Sequence, residues 1–415
     1  MDKLKSFIKQ YFVLVILIVL IILFGCLRPE SFLTMSNMFT VIRQSSIMGI
    51  ATIGLLFVMV AGGIDLSLGS VISVESVLVA VLLTKFGWGL LPAYLCGLAG
   101  GTLVGLVTGA IIVKTGIFPM IGTLALQIIL QGIAYLVCGG MPVSNLPLNA
   151  KMIGQGYIGP IPIPVIVFII VIIIAALVLN RTYIGRHFYA IGSNEEATRL
   201  SGIDVDKFKM IAYVIGGLFA GIAAIFWTAT NPSIPLSEGS GKELDAIAGV
   251  YIGGTSTTGG FASIVGTIFG AIILVVIRQG LNFMLVQFNS TLSPTFITYA
   301  VTGVIVVGAV LLDVLKRQSA NRVRQEKKAE KFARKTKERI AELNLEKDYA
   351  LSAKGNAEAD KRVKEIDEEI ASLKAELKNK LPALKAEDMA EAEEEKKRKN
   401  EIKAAEKSEK NALKK

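Results

Sequence analysis

Apolar runs close to twenty residues long recur along the first three quarters of this chain, and they constrain its fold more than any other feature. An α-helix needs about 20 such residues to cross the hydrocarbon core of a bilayer. Ten candidate segments meet or approach that length: 11–27, 41–61, 65–84, 89–113, 117–138, 161–179, 210–230, 244–256, 264–288 and 292–315. The eighth is short, and only Gly62, Gly63 and Ile64 separate the second from the third. Both places are expected to hold broken or incomplete spans. The expected fold class is therefore all-α, a polytopic integral-membrane bundle of about ten segments.

Charge divides the chain. Residues 316–415 hold 29 of the 44 Lys and Arg and 22 of the 34 Asp and Glu, so the mean hydropathy of +0.57 understates the body. The expected domains are an N-terminus over 1–10, a transmembrane domain over 11–315 and a charged helical tail over 316–415. Lys3, Lys5 and Lys9 precede the first segment. Arg181, Arg186, Arg199, Lys207 and Lys209 lie in the connection 181–209, and Lys316 and Arg317 follow the last segment. Ten crossings put all three sets on one side, which the positive-inside rule makes cytoplasmic. Both termini are then expected in the cytoplasm of a multi-pass bacterial inner-membrane protein.

Some chemistry is excluded. One histidine, His187, cannot build a site of several imidazoles, and Cys26, Cys96 and Cys138 have no metal-ligand spacing. No metal, bound cofactor or catalytic residue is expected, and nucleic acid is not an expected partner. The chain has no GxxxxGK[ST] loop, whose backbone would cradle nucleotide phosphates. If ATP drives this protein, another chain binds it.

Small residues let helices approach closely in lipid. Gly97, Gly101, Gly105 and Gly109 form such a stripe, and helix packing is its expected role. Gly105-Leu-Val-Thr-Gly109-Ala-Ile-Ile recurs as Gly266-Thr-Ile-Phe-Gly270-Ala-Ile-Ile, and the stretch from Asp65 to Gly69 echoes that from Asp245 to Gly249. Internal duplication, common among transporters, and chance similarity of glycine-rich apolar sequence both remain open.

Ionisable groups inside apolar segments are costly, on the order of 3 kcal/mol at mid-membrane, and tend to mark function. Asp65, Glu75, Asp245 and Arg278 are such groups. Ser67 follows Asp65, Gln279 and Asn282 follow Arg278, and Gln127, Gln131 and Tyr135 share one helical face. Asp65, Ser67, Gln127, Gln131, Asp245, Arg278, Gln279 and Asn282 are the candidates for lining a polar path suited to a hydroxyl-rich solute. Polar contacts between helices would account for the same residues.

In the connection 181–209, Ser193-Asn194-Glu195-Glu196 has the form of a capping box, and Gly202 supplies a stop. A two-turn helix over 194–201 is expected. It is too short to persist alone, so it rests either on its own domain or on a partner.

Four stretches, in order, carry a resemblance: Ala61-Gly-Gly-Ile-Asp65-Leu-Ser-Leu-Gly69-Ser, Tyr189-Ala-Ile-Gly-Ser-Asn-Glu195-Glu-Ala-Thr-Arg-Leu-Ser-Gly202, Glu243-Leu-Asp245-Ala-Ile-Ala and Gly253-Gly-Thr-Ser. The chain from about residue 10 to 315 resembles the permease subunits of bacterial ABC importers of the ribose, galactose and xylose type. The resemblance implies alternating access driven by Mg-ATP on a partner ATPase, a second permease subunit and an external sugar-binding protein. It also implies that Ser193, Asn194, Glu195, Glu196, Ala197 and Gly202 belong to a segment that docks on the ATPase. Rival readings are a permease of this type for a nucleoside or furanose signal molecule, and a transporter or channel that works without ATP.

The tail departs from that family's pattern. Val363, Ile366, Ile370, Leu373 and Leu377 alternate at spacings of 3 and 4, a coiled-coil seam. Gly355-Asn356 is expected to turn it back on a helix over 322–350, and Pro382 to end it.

Overall fold

The structure, a computed structural model, describes residues 12–235, 239–256, 258–287, isolated positions between 297 and 311, 328–352 and 361–386. It divides into two units, Met1–Asp313 and Val314–Lys415.

The described part of the first unit is mainly helical. In chain order its helices are α1 (Phe12–Leu27), α2 (Pro29–Phe32), α3 (Met35–Val60), α4 (Leu68–Thr84), α5 (Leu90–Thr115), α6 (Pro119–Cys138), α7 (Leu148–Gln155), α8 (Ile163–Arg181), α9 (Tyr183–Ser193), α10 (Glu195–Leu200), α11 (Val205–Thr230), α12 (Lys242–Ile252) and α13 (Ile264–Gln287). Two antiparallel pairs of two-residue strands, Val143–Ser144 with Ser233–Ile234 and Tyr157–Ile158 with Ile161–Pro162, tie the connections. Proline and glycine set several boundaries. Pro119 and Pro164 stand in the first turns of α6 and α8, where a missing N–H costs nothing. Gly139 closes α6 in the left-handed conformation, φ 75°.

Among the described residues six helices are long and apolar enough to cross a membrane: α3, α5, α6, α8, α11 and α13. α1 and α4 are shorter apolar helices. α12, with 11 residues, rises about 17 Å at about 1.5 Å per residue, roughly half of a 30 Å hydrocarbon core. The segment expected over 292–315 lies almost wholly outside the described residues.

α3 is the centre of the bundle, and every residue from Ser45 to Val60 is buried. The periphery is apolar as well. Ile169, Ile173 and Leu177 of α8 and Ile128, Ile129 and Leu136 of α6 are exposed. An outer surface this continuously apolar suits lipid surroundings.

The α5 glycines face α11. A Cβ on Gly101 would lie 2.6 Å from the Gly217 carbonyl oxygen, and one on Gly109 3.1 Å from Met210 Cα. Gly266 and Gly270 of α13 face α12 in the same backbone-to-backbone manner, against Gly253 and Gly249. The two similar stripes thus meet non-equivalent partners. Asp65 precedes α4, whereas Asp245 lies inside α12. The local likeness in sequence does not extend to equivalent packing.

The second unit contains α14 (Lys328–Ser352) and a helix over 361–386, α15. Leu343, Ile366 and Ile370 are buried together, with Ile340 and Leu373 against them. Ion pairs Lys347–Asp367, Arg362–Glu346 and Arg339–Glu369 join the two helices. Gly355-Asn356 lies outside the described residues. Pro382 does not end the helix, which continues to 386. It is exposed and within two turns of the last described helical residue, so it forgoes one backbone bond with no packed neighbour to displace.

Candidate functional site

One cavity combines polar lining with enclosure by the bundle. The first half of α3 contributes Thr40, Arg43 and Gln44, and the end of α11 contributes Trp227, Thr230 and Asn231. The start of α12 adds Lys242 and Asp245, and the second half of α13 adds Arg278, Gln279 and Asn282. The space measures about 340 Å³. The half-length α12 is what makes room. The residues described just before it, 231–235 and 239–241, are non-helical, and irregular backbone at membrane depth is tolerated where it is buried in protein or lines a wet cavity.

Two charged contacts anchor α12. Arg278 Nη2 donates to Asp245 Oδ2 at 2.5 Å, with the Asp245 side chain 5% exposed. The Lys242 ammonium lies 4.8 Å from the centre of the Trp227 ring, within cation–π range. Between them in sequence, Glu243 accepts from Gln127 Nε2 at 3.1 Å. Three polar side chains within four residues therefore pin this short helix to α13, α11 and α6. Gln279 donates to Asn37 Oδ1 at 3.0 Å, and Asn37 Nδ2 to the Phe32 carbonyl at 2.7 Å, which holds α13 to the start of α3. Arg43 donates to the Tyr157 hydroxyl at 2.8 Å and the Gln155 carbonyl at 3.4 Å.

Of the pathway candidates, Asp245, Arg278, Gln279 and Asn282 meet in this cavity, while Gln127 and Gln131 are not among its lining residues. Glu75 is buried elsewhere, against Gly100 of α5. The residues missed from sequence are Thr40, Arg43, Gln44, Trp227, Thr230, Asn231 and Lys242. Arg43 and Gln44 were within reach, since they stand just inside the apolar segment 41–61 where a span end was assumed.

Asp65 and Ser67 lie at the other end of α3, in the break before α4. Asp65 Oδ1 accepts from the Ser67 N–H at 2.8 Å and the Ser67 hydroxyl at 2.6 Å, shaping the turn that opens α4. The Leu66 N–H donates to Thr123 Oγ1 of α6 at 3.1 Å. Here three sequence-distant motifs converge. The Gly260 N–H donates to the Val60 carbonyl at 3.0 Å. A Cβ on Gly259 would lie 2.8 Å from Gly62 N and 2.9 Å from Gly192 Cα, and one on Gly260 2.8 Å from Ser193 N. The end of α3, the end of α9 and the loop after α12 thus touch backbone to backbone.

The connection 181–209 differs from expectation. Its first half is helix α9, and the N-cap of the next helix falls one residue later than expected. Ser193 is the last residue of α9, its hydroxyl donating to the Tyr189 carbonyl at 2.8 Å. Asn194 is extended, φ −161°, and its Oδ1 accepts from the Ala197 N–H at 2.9 Å. With Ser193 still helical, the next residue has to supply the cap, so Ser193 and Glu196 do not form the reciprocal pair. Glu195 pairs with Lys209 at 2.5 Å, and Arg199 with Asp206 at 2.6 Å, laying α10 along the start of α11. Gly202 ends the turn with φ 82°, and Leu200 is 83% exposed. From this end to the cavity runs α11, whose 26 residues cover about 39 Å at about 1.5 Å each.

An apolar-surfaced bundle with a half-length helix beside a polar cavity is the architecture of a membrane permease. Residues 37–314 match the family described as branched-chain amino acid transport system / permease component. The ribose import permease protein RbsC of Escherichia coli is 37% identical over 317 residues, 75% of this chain and 96% of that protein. Its Bacillus subtilis counterpart is 36% identical over 72% of this chain and 90% of its own length, and the Escherichia coli xylose transport system permease protein XylH is 30% identical over 76% and 95%. The chain belongs to this permease family, in the branch of the ribose, galactose and xylose ABC permeases. No solved structure matches it.

Proposed function

We propose that this chain is the membrane subunit of an ATP-driven importer and passes a monosaccharide of the ribose, galactose or xylose kind into the cytoplasm by alternating access. The observation that carries this reading is the pairing of a polar cavity at one end of α11 with a capped, salt-bridged segment at the other. The relatives' names supply the solute class, and the amide, hydroxyl and charged lining suits a hydroxyl-rich one.

In this reading α9 and α10 dock on a partner ATPase that binds Mg-ATP, with Leu200 as the exposed apolar contact. A second permease subunit, identical or homologous, stands alongside, and an external binding protein delivers sugar at the cavity end. The basic residues of 181–209 put that segment, and with it both termini, on the cytoplasmic side of the inner membrane. Movement of α9 reaches the α3–α4 break and the loop after α12 through the glycine contacts around Gly192. The loop carries it to α12, whose displacement opens or closes the cavity. Glu195, Glu196, Ala197 and Gly202 hold the lever's shape, and Arg278 and Asp245 hold its far end.

Reconstitution with the ATPase and binding protein tests this. Sugar accumulation is expected to require ATP, and hydrolysis to rise with loaded binding protein. Equal sugar movement in vesicles lacking nucleotide and ATPase would overturn the reading in favour of a channel.

A further inference from the structure

Most of the polar side chains that line the cavity are already engaged within the protein. The Thr40 hydroxyl donates to the Ser36 carbonyl at 2.9 Å, and that of Thr230 to the Phe226 carbonyl at 3.0 Å. Arg278 is held by Asp245, Gln279 by Asn37 and Arg43 by Tyr157. Two amides differ. Gln44, exposed, and Asn282, half-buried, line the same space, and neither side chain is hydrogen-bonded to any described residue.

Their placement adds to this. Gln279 of α13 meets Asn37 near the start of α3. Farther along α3, a Cβ on Gly249 would lie 3.2 Å from Thr52 Cγ2 and 3.3 Å from Ala271 N, so α3 and α13 run antiparallel. That order gathers Gln44 and Asn282 at one end of the cavity with Arg43 and Arg278. It leaves Ile47, Met48, Leu274 and Val275 to line the other. The space thus has a polar end and an apolar end, and a monosaccharide likewise carries hydroxyls beside C–H surface. Its volume of about 340 Å³ stands at the small end of ligand sites, about 300–1,000 Å³, and suits one sugar unit.

A sugar hydroxyl both donates and accepts, and so does a primary amide. An amide bonded only to water can exchange that water for a hydroxyl at little cost. Recruiting Asp245 or Arg278 instead would disturb an ion pair whose loss is strongly destabilising. We infer that Gln44 and Asn282, one on each wall, are the side chains that hydrogen-bond the hydroxyls of a neutral monosaccharide and so discriminate among sugars. This rests on the importer reading and names the residues through which that site reads its solute.

The test uses vesicles holding the full chain with its ATPase and binding protein, offered D-ribose, D-xylose, D-galactose or D-allose. Initial uptake and ATP hydrolysis are measured together. Gln44→Leu and Asn282→Leu are each expected to slow uptake by about threefold to tenfold, the loss of one neutral hydrogen bond, and the double variant by more. Hydrolysis stimulated by loaded binding protein is expected to stay at the wild-type rate. Where two or more of the sugars accumulate, the loss is expected to differ between them, because their hydroxyls point differently. Neither leucine removes a bond present among the described residues, and Gln44→Ser and Asn282→Ser supply the same readout should leucine prevent assembly. A double variant that moves sugar at the wild-type rate overturns the inference. So does one in which uptake and hydrolysis fall by the same factor, or in which every accumulated sugar of several is slowed equally, since the amides are then structural. Those results leave the importer reading intact, whereas a wild-type protein with no ATP-driven uptake of any sugar removes both.

Discussion

The two ends of α11 are built by different means. At the cavity, side chains do the holding: Asp245 with Arg278, Lys242 over Trp227, Gln279 with Asn37. At the junction, backbone meets backbone, and Gly192, Gly259 and Gly260 leave no space for a Cβ. Side-chain contacts can lengthen, rotate or exchange partners, which suits a region that admits a solute. Close-packed backbone transmits displacement with little slack, because interiors of that density do not yield continuously. The contrast assigns chemistry to one end and mechanics to the other.

The largest effect expected from breaking this division is at the junction. Gly192→Val places side-chain atoms against the Val60 carbonyl and the Gly260 N–H, and overpacking of this kind costs about 1–3 kcal/mol or more. Sugar-stimulated ATP hydrolysis is expected to disappear in that variant, and normal stimulation would strip the junction of its mechanical role. Next comes Arg278→Leu, which leaves Asp245 buried without its partner. Removing one member of a buried pair costs about 3–5 kcal/mol, read as a lower unfolding temperature in detergent. Arg278→Leu with Asp245→Asn is expected to recover much of that stability but not transport. Recovery of both would make the pair a packing device.

A middle-sized effect is expected from Leu200→Asp, which should weaken retention of the ATPase during purification without lowering the stability of the permease itself. Unchanged retention would remove Leu200 from the contact. Glu195→Ala should be milder, since exposed pairs like Glu195–Lys209 contribute about 0–1 kcal/mol. Smallest of all, a chain ending at residue 320 is expected to assemble and transport like the full one. Loss of uptake there would give the α14–α15 unit a place in the cycle.

Several parts of this site are legible in the sequence. Arg278, Gln279 and Asn282 stand out because their cost inside an apolar run is visible in one dimension, and Asp245 for the same reason. Arg43 did not, because it sits at the margin of a segment, where snorkelling to the interface is the ordinary expectation. Trp227, Asn231 and Lys242 gave no signal, since aromatic, amide and lysine residues near a helix end are commonplace. The capping residue was misplaced by one position because Ser193 and Asn194 are both competent caps. Which of them serves depends on where α9 stops, and that is set by the packing of Gly192 against Val60 and Gly260.

By itself the order of residues determined that this chain lives in lipid, that its span pattern breaks near Gly62 and near residue 244, and that its charge separates into body and tail. Those are properties of composition over windows of about twenty residues, the length a bilayer imposes. Only the tertiary structure decided that Asp65 shapes the break before α4 whereas Asp245 pairs with Arg278 at the cavity, and that the motifs at 61–67, 192–193 and 253–260 form one junction. Contacts between segments far apart in the chain depend on which faces pack together, and glycine stripes that look alike in sequence carry no label for their partners.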